Sequence, residues 1–169
     1  MKITNVKASF VLCEAHKLDE DSSNYLYYSA GHVKILKSDI FTFTIMGSSN
    51  RFINITGCPS IEKVKYGIAL FQEISCVTAV TDIKINSISF SLKGRISVTD
   101  LLNVQMKCSE IFLVKRFPRF SGVCLKHTLM KISGNFFERS GKIICMGAKN
   151  QRDILTFISD LERVGFSVQ

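Results

Sequence analysis

Two glycine corners near the end of the chain have the residue types of a phosphate-binding loop. Gly141 precedes Lys142, and Gly147 precedes Ala148, in the stretch SGKIICMGAKN. A Walker-type loop requires G-x-x-x-x-G-K-[ST], so that backbone N–H groups surround the phosphates. Here Met146 stands where the second glycine is needed, and alanine follows Gly147 instead of lysine. The spacing therefore excludes a nucleotide-binding loop of this kind.

The other residue types that could carry catalysis are scattered. The chain has three histidines and six cysteines, and no two cysteines form a C-x-x-C pair. No carboxylate pair with a nearby histidine emerges either, so we expect no enzyme, no metal site and no cofactor. The simplest interpretation of the cysteines is free thiols in a reducing compartment, most of them small core residues.

The charge distribution favours a polyanionic partner. The net charge is +8, and residues 81–169 carry fourteen Lys/Arg against seven Asp/Glu, whereas residues 1–80 carry eight against seven. A basic globular domain most often meets nucleic acid. No apolar run is long enough for a transmembrane helix, so no membrane contact is expected.

The stretch that fails as a phosphate loop predicts a turn, a strand and a helix. Ser140 to Lys142 is typical of a tight turn, and KIICM is typical of a short strand. Asn150, with Asp153 three residues later, indicates a helix N-cap. Apolar residues then recur at helical spacing and predict one buried helix face, formed by Ile154, Phe157, Ile158, Leu161 and Val164.

The same order of turn, strand, glycine and helix occurs earlier, in SSNRFINITGCPSIEKVKYGIALFQEI. Both halves also begin with a strand that holds an asparagine, Asn5 or Asn86. We therefore predict a duplication, with a first repeat at 1–80 and a second at 81–169 in one domain. Each repeat reads as a strand, a short helical piece (98–108 in the second), three strands and a long helix. This order predicts an α+β fold, with helices on one face of an antiparallel sheet and the other face left for solvent or a partner.

These features resemble the core of the TATA-box-binding protein family over nearly the whole chain. SGKIICMGAKNQRDILTFISDLERVGF is similar to the end of that family's second repeat, and KVKYGIALFQEI is similar to a helix of its first repeat. Asn5 and Asn86 match the family's two groove-facing asparagines. The resemblance implies a pseudo-twofold saddle, with a curved antiparallel β-sheet on the concave side and helices on the convex side.

The resemblance also implies a function and partners. The family binds A·T-rich promoter DNA through the minor groove, bends it and wedges its base steps with phenylalanines. A general transcription initiation factor is therefore expected, with other initiation factors and the RNA polymerase machinery as partners. The expected location is the nucleus, or the viral transcription site if the chain is viral. The preferred DNA sequence and homodimer formation by the free chain are left open.

Strand alternation and the resemblance together predict the residues that face the groove. An asparagine amide suits the O2 and N3 acceptors of A·T pairs, and exposed apolar residues need a cover such as the groove floor. The predicted set is Asn5, Lys7, Asn54 and Thr56 in the first repeat, and Asn86, Ile88, Ile144 and Met146 in the second. The residues expected behind them are Ile53, Ile55, Ile143 and Cys145.

The resemblance further implies a pair of base-wedging side chains in each repeat. In the second repeat one is Phe137. Its companion is Phe117, which keeps the family's Phe-Pro, or Phe120, which keeps the spacing to the next glycine. The equivalent places in the first repeat hold Tyr28 and, by spacing, Ile45 or Phe43. Phosphate contacts, which would be salt-sensitive and blind to sequence, are implied for Lys34, Arg51, Lys126, Arg139 and Lys142.

Departures from the family favour an alternative function, an interaction platform in a transcription complex with weak or no DNA binding. The first repeat is about nine residues short, its LDEDSSNYLYY stretch is acidic, and Asn54 replaces an expected small apolar residue. IFLVKRFPRF is basic where the family is acidic and docks its B-type general factor. The basic excess of the second half favours DNA binding over the platform.

Overall fold

A computed structural model describes residues 1–14, 25–47, 49, 51–97, 101, 104 and 109–169. The chain divides into two compact units. We call Thr4–Asn86 the first unit, and Met1–Ile3 with Ser87–Gln169 the second unit. Most of the acidic stretch and most of the helical piece predicted at 98–108 lie outside the described residues.

The first unit is an antiparallel sheet with one long helix. Its elements are β1 (Lys2–Leu12), β2 (Leu26–Ala30), β3 (Val33–Lys37), β4 (Thr42–Met46), β5 (Phe52–Cys58) and α1 (Ile61–Ser75). The strand order is β2-β3-β4-β5-β1. Helix α1 begins after Ser60, whose Oγ accepts the Lys63 N–H at 3.3 Å and so satisfies one of the first turn's amides.

Helix α1 covers one face of this sheet. Phe71 packs against Phe10 at 5.5 Å and against Phe43 at 5.1 Å between ring centroids. Gly67 allows the close approach, because a Cβ there would lie 2.2 Å from Cδ1 of Ile55. The alternate residues of β4 and β5 that point toward α1 are therefore the buried ones.

The second unit repeats this arrangement. Its elements are β6 (Val80–Arg95, whose first residues belong to the first unit), β7 (Phe112–Arg116), β8 (Val123–His127), β9 (Ser133–Phe137), β10 (Lys142–Ala148), α2 (Gln151–Arg163) and β11 (Ser167–Val168). The strand order is β6-β10-β9-β8-β7, and β11 pairs with β6. The predicted N-cap is confirmed, because Asn150 Oδ1 accepts the Asp153 N–H at 2.9 Å. Helix α2 buries Phe157 against Phe90 and Phe112.

Each unit contains a β-bulge at a glycine. In β5 the register shifts at Gly57, which has φ +91°, and in β10 it shifts at Gly147, which has φ +106°. A Cβ at Gly147 would lie 2.0 Å from the carbonyl oxygen of Lys131, so only glycine fits. The bulges decide which residues of β1 and β6 lie opposite them.

Candidate nucleic-acid interface

The sheet face opposite the helix is the candidate interface, and we call it the open face of each unit. In the first unit one row of neighbouring residues crosses this face, and its members are Tyr28, Ile35, Thr44, Asn54 and Ser9. The corresponding row of the second unit is Lys115, Cys124, Asn135, Ile144 and Ser91. The predicted open-face residues Asn54, Thr56, Ile144 and Met146 lie here, and the four residues expected behind them are buried. The predicted division of these two strands into an open and a buried face is therefore confirmed, and contact with DNA stays a prediction.

Asn86 does not occupy the position in the second repeat that corresponds to Asn5. Asn5 Oδ1 accepts the Gly57 N–H at 2.9 Å, and in the second unit Ser87 Oγ accepts the Gly147 N–H at 3.1 Å. The sequence match was therefore wrong by one residue. Because both bulge glycines bind the side chain at the matching strand position, the bonds define the true correspondence.

Ile88 does not face outward, and its prediction was wrong. It is fully buried with Phe90 and Leu92 on the helix side of β6, whereas Ser87 and Ser89 lie half-buried on the open face. The apolar set packs beneath α2, where burying large side chains stabilises the unit. The alternation of serine and apolar residues in SISFSL, residues 87–92, could have predicted that Ile88 shares a buried face with Phe90 and Leu92.

Both candidates for the second wedge of the first repeat were also wrong. Ile45 and Phe43 are fully buried beneath α1, so neither can reach a ligand on the open face. Met46 lies on the open face instead, beside Phe52, which is 40% exposed. Tyr28 lies on the open face and is exposed, as predicted.

A hydrogen-bonded relay of three side chains crosses the first unit's open face. Ser9 Oγ donates to Asn86 Oδ1 at 3.3 Å, and Asn86 Nδ2 donates to Asn54 Oδ1 at 3.4 Å. Asn54 Nδ2 in turn lies 3.9 Å from the sulfur of Met46. All of these residues belong to the first unit. The relay orients both amides, so Asn54 directs a nitrogen donor rather than an oxygen toward Met46.

The second unit places two phenylalanines together on its open face. Phe120 and Phe137 form an edge-to-face pair with centroids 5.6 Å apart. Phe137 ends β9 on the side opposite buried Phe136, and Phe120 is 37% exposed. Phe117 is more exposed, at 53%, and its carbonyl accepts the Phe120 N–H in the turn between them. The structure therefore brings Phe120, not Phe117, to Phe137.

Two lysines lie beside this aromatic pair. Lys142 is the cross-strand neighbour of Phe137 on one side and of Lys93 on the other. Lys93, Lys142 and Ser140 line a cavity of about 650 Å³ whose lining holds no acidic side chain. Sequence reasoning missed Lys93, because its approach to Lys142 depends on the strand register. The equivalent places in the first unit hold Val11 and Phe52, which carry no charge.

The remaining predicted phosphate contacts do not lie together on one surface. Lys126 is exposed on the open face, opposite Leu113 and Ser133. Arg139 is exposed in the β9–β10 turn. Arg51 donates to the carbonyls of Leu12 and Cys13 at 2.8 and 2.9 Å, so it also holds the end of β1. Lys34 pairs with buried Ile45 on the helix side of the sheet, away from the open face. Lys7, predicted to face the groove, is exposed and alternates with buried Val6 and Ala8.

Two thiols show how strongly the helix side excludes water. Burial raises the pKa of Cys58 to about 11 and that of Cys145 to about 12. Among the described residues, no cluster of three or more metal-ligating side chains occurs. Nor does that part of the chain contain a helix long and apolar enough to cross a membrane.

Comparisons with known proteins identify the fold. No protein-family model and no curated protein sequence matches the chain. The structure is similar to that of the TBP of Methanococcus jannaschii, with a TM-score of 0.77, 18% sequence identity and 96% of each chain covered. The α+β fold of the TATA-box-binding protein, which the sequence predicted, is therefore confirmed.

Proposed function

We propose that this protein is a transcription initiation factor that binds A·T-rich duplex DNA through the minor groove. The observation that carries the proposal is the pair of exposed Phe120 and half-buried Phe137, which lies next to Lys142 on an open sheet face. The fold shared with an archaeal TBP supports the same function. The proposed partners are other initiation factors and the polymerase machinery, at the nucleus or a viral transcription site.

The side chains of the second unit's open face suit this ligand. Aromatic rings that lie together on an open face can insert at a base step and offset the loss of stacking. The two lysines beside them can neutralise phosphates on the backbone that flanks such a step. Ile144 and Met146 add apolar surface that a shallow groove floor would cover. We therefore assign the wedge and the phosphate contacts mainly to the second unit.

A second candidate function is a protein-interaction platform with weak or no DNA binding. The observation that favours it is the outer row of the first unit, where Val33, Met46, Phe52 and Val11 form an apolar strip without a cation. An apolar strip of this kind suits a protein surface better than a phosphate backbone.

The test is binding to fluorescently end-labelled A·T-rich and G·C-rich duplexes across a range of salt concentrations, with energy transfer between the ends as the readout of bending. We expect A·T-preferring binding with bending. Phe137→Ala and Phe120→Ala should each weaken it by about tenfold, the order of magnitude of one lost base–aromatic contact. Phe117→Ala is the matched control and should change the affinity by less than about twofold.

Two results would count against the minor-groove function. Binding that disappears at physiological salt without any bending would favour the platform. If bending survives the loss of both paired phenylalanines but is abolished by Phe117→Ala, then Phe117 is the wedge and the assignment to the pair is wrong.

A further inference from the structure

We propose that Asn54 is a specificity-determining residue that makes the first unit reject a guanine amino group in the minor groove. The inference rests on the proposed function, because it concerns the duplex bound by the open face. It assigns hydrogen-bond reading to the first unit, in contrast to the wedging and phosphate contacts of the second.

The direction of the relay determines which amide atom of Asn54 is available to a ligand. Asn86 Nδ2 donates to Asn54 Oδ1, and an amide flip at Asn54 alone would place two nitrogen donors against each other. Met46 Sδ, 3.9 Å from Asn54 Nδ2, can accept weakly but cannot donate. Ser9, which is 3% exposed, donates to Asn86 in this arrangement, and the acceptor-only sulfur of Met46 favours it over the arrangement with both amides reversed. Asn54 is therefore held with its oxygen occupied and its nitrogen available.

A fixed donor distinguishes base pairs in the minor groove. A·T pairs present only the acceptors N3 and O2 there, whereas a G·C pair adds the donor N2–H₂ of guanine. A side-chain amide that could rotate would adapt to either pattern by offering its oxygen. Because the bond from Asn86 keeps Asn54 Oδ1 turned toward Asn86, a guanine amino group at Asn54 Nδ2 would meet a donor and lose its hydrogen bond to water.

The corresponding residues of the second unit cannot form such a relay. Ile144 occupies the position that corresponds to Asn54, and Ser91 corresponds to Ser9. An isoleucine side chain cannot hydrogen-bond to a base. Discrimination against G·C pairs by hydrogen bonding should therefore be confined to one half of the bound site. On asymmetric DNA this would favour one orientation of the protein over the other.

The experiment scans an A·T-rich duplex by replacing one pair at a time with G·C or with inosine·C. Inosine lacks the guanine amino group, so its minor-groove pattern matches that of A·T. We expect positions in one half-site where G·C weakens binding by about tenfold while inosine·C does not, a typical cost of one wrong pair. In Asn54→Ala the penalty at those positions should fall to within about twofold of the parent duplex.

Two further variants separate reading from folding. Ser9→Ala removes the donor that orients Asn86, and should reduce the same penalty without moving it to other positions. Asn135→Ala is the matched control, because Asn135 lies on the open face of the second unit and takes no part in the relay. Thermal unfolding of each variant checks that the fold is intact.

The failures are distinguishable. If the wild-type protein binds no duplex, the proposed function falls and the inference with it. If it binds but rejects inosine·C as strongly as G·C, deformability rather than the amino group is being read and the inference is overturned. The same holds if Asn54→Ala keeps the penalty, or if the wild type prefers G·C, which would mean that the relay runs in the opposite direction.

Discussion

The bulge glycine Gly147 offers a sharp test of the register that determines the open face. Its N–H binds Ser87 Oγ, and its bulge sets Ile88 opposite Ala148, which places Ile88 on the buried side. The proposed perturbation is Gly147→Ala. The control is Gly165→Ala, because Gly165 has a similar φ of +98° but no atom within 4 Å of the position that a Cβ would occupy.

Both substitutions lower stability through backbone strain, and only Gly147→Ala adds a steric clash. An L-residue in a left-handed conformation costs about 1 to 2 kcal/mol, and both variants incur it. At Gly147 the new Cβ would also lie 2.0 Å from Lys131 O and 3.3 Å from Cα of Ile132, which are backbone atoms that cannot rotate away. Overpacking of this kind costs about 1 to 3 kcal/mol more. Gly147→Ala should therefore be the less stable variant by at least about 1 kcal/mol.

The assay is urea and thermal unfolding, followed by far-ultraviolet circular dichroism for the wild type and both variants. A difference of about 1 kcal/mol corresponds to about 2 to 4 °C in Tm for a chain of this size. Equal midpoints for the two variants would refute the reasoning, because they would show that the approach of Lys131 to the bulge is not as close as described. Gly57→Ala repeats the test in the first unit, where the Cβ would lie 2.4 Å from Ile40 O.

Three further outcomes are expected. Asn150→Ala should lower the free energy of unfolding in urea by about 1 kcal/mol, because α2 loses its N-cap. Asn150→Ser should keep most of the wild-type stability, because a serine side chain can also cap the helix. Equal losses in the two variants would contradict the capping role. Burial raises the pKa of Cys145 to about 12, so this thiol should stay unmodified by a thiol reagent at pH 8 until the protein unfolds. Because that pKa is raised in the folded state, its contribution to stability is present below about pH 9 and is lost as the pH rises toward 12; rapid labelling of folded protein would contradict this. Lys142→Ala should reduce the salt dependence of DNA binding by about one phosphate contact, and Lys65→Ala on α1 should not; equal slopes for both variants would remove Lys142 from the interface.

Much of the fold could be predicted from local patterns in the sequence. The apolar alternation of β5 and β10, the Asn150 cap and the helical spacing that buries Ile154, Phe157 and Leu161 all depend on residues close together in the chain. Such patterns determine which face of an element is apolar, and burial follows from that. At Ile45 the family's spacing was preferred over the alternation of the strand itself, and at Ile88 the alternation was counted from Asn86; both predictions failed, because both side chains are buried.

The amino-acid sequence by itself determined the α+β class and the basic character of the second half, and it predicted two repeats with the same order of elements. Tertiary structure alone decided the pairings between distant residues. The Ser9–Asn86–Asn54 relay, the approach of Lys93 to Lys142 and the choice of Phe120 as the partner of Phe137 depend on strand register and loop path. A single bulge shifts register by one residue and reverses which side chains share a face, and only the packing of whole strands fixes where that bulge lies.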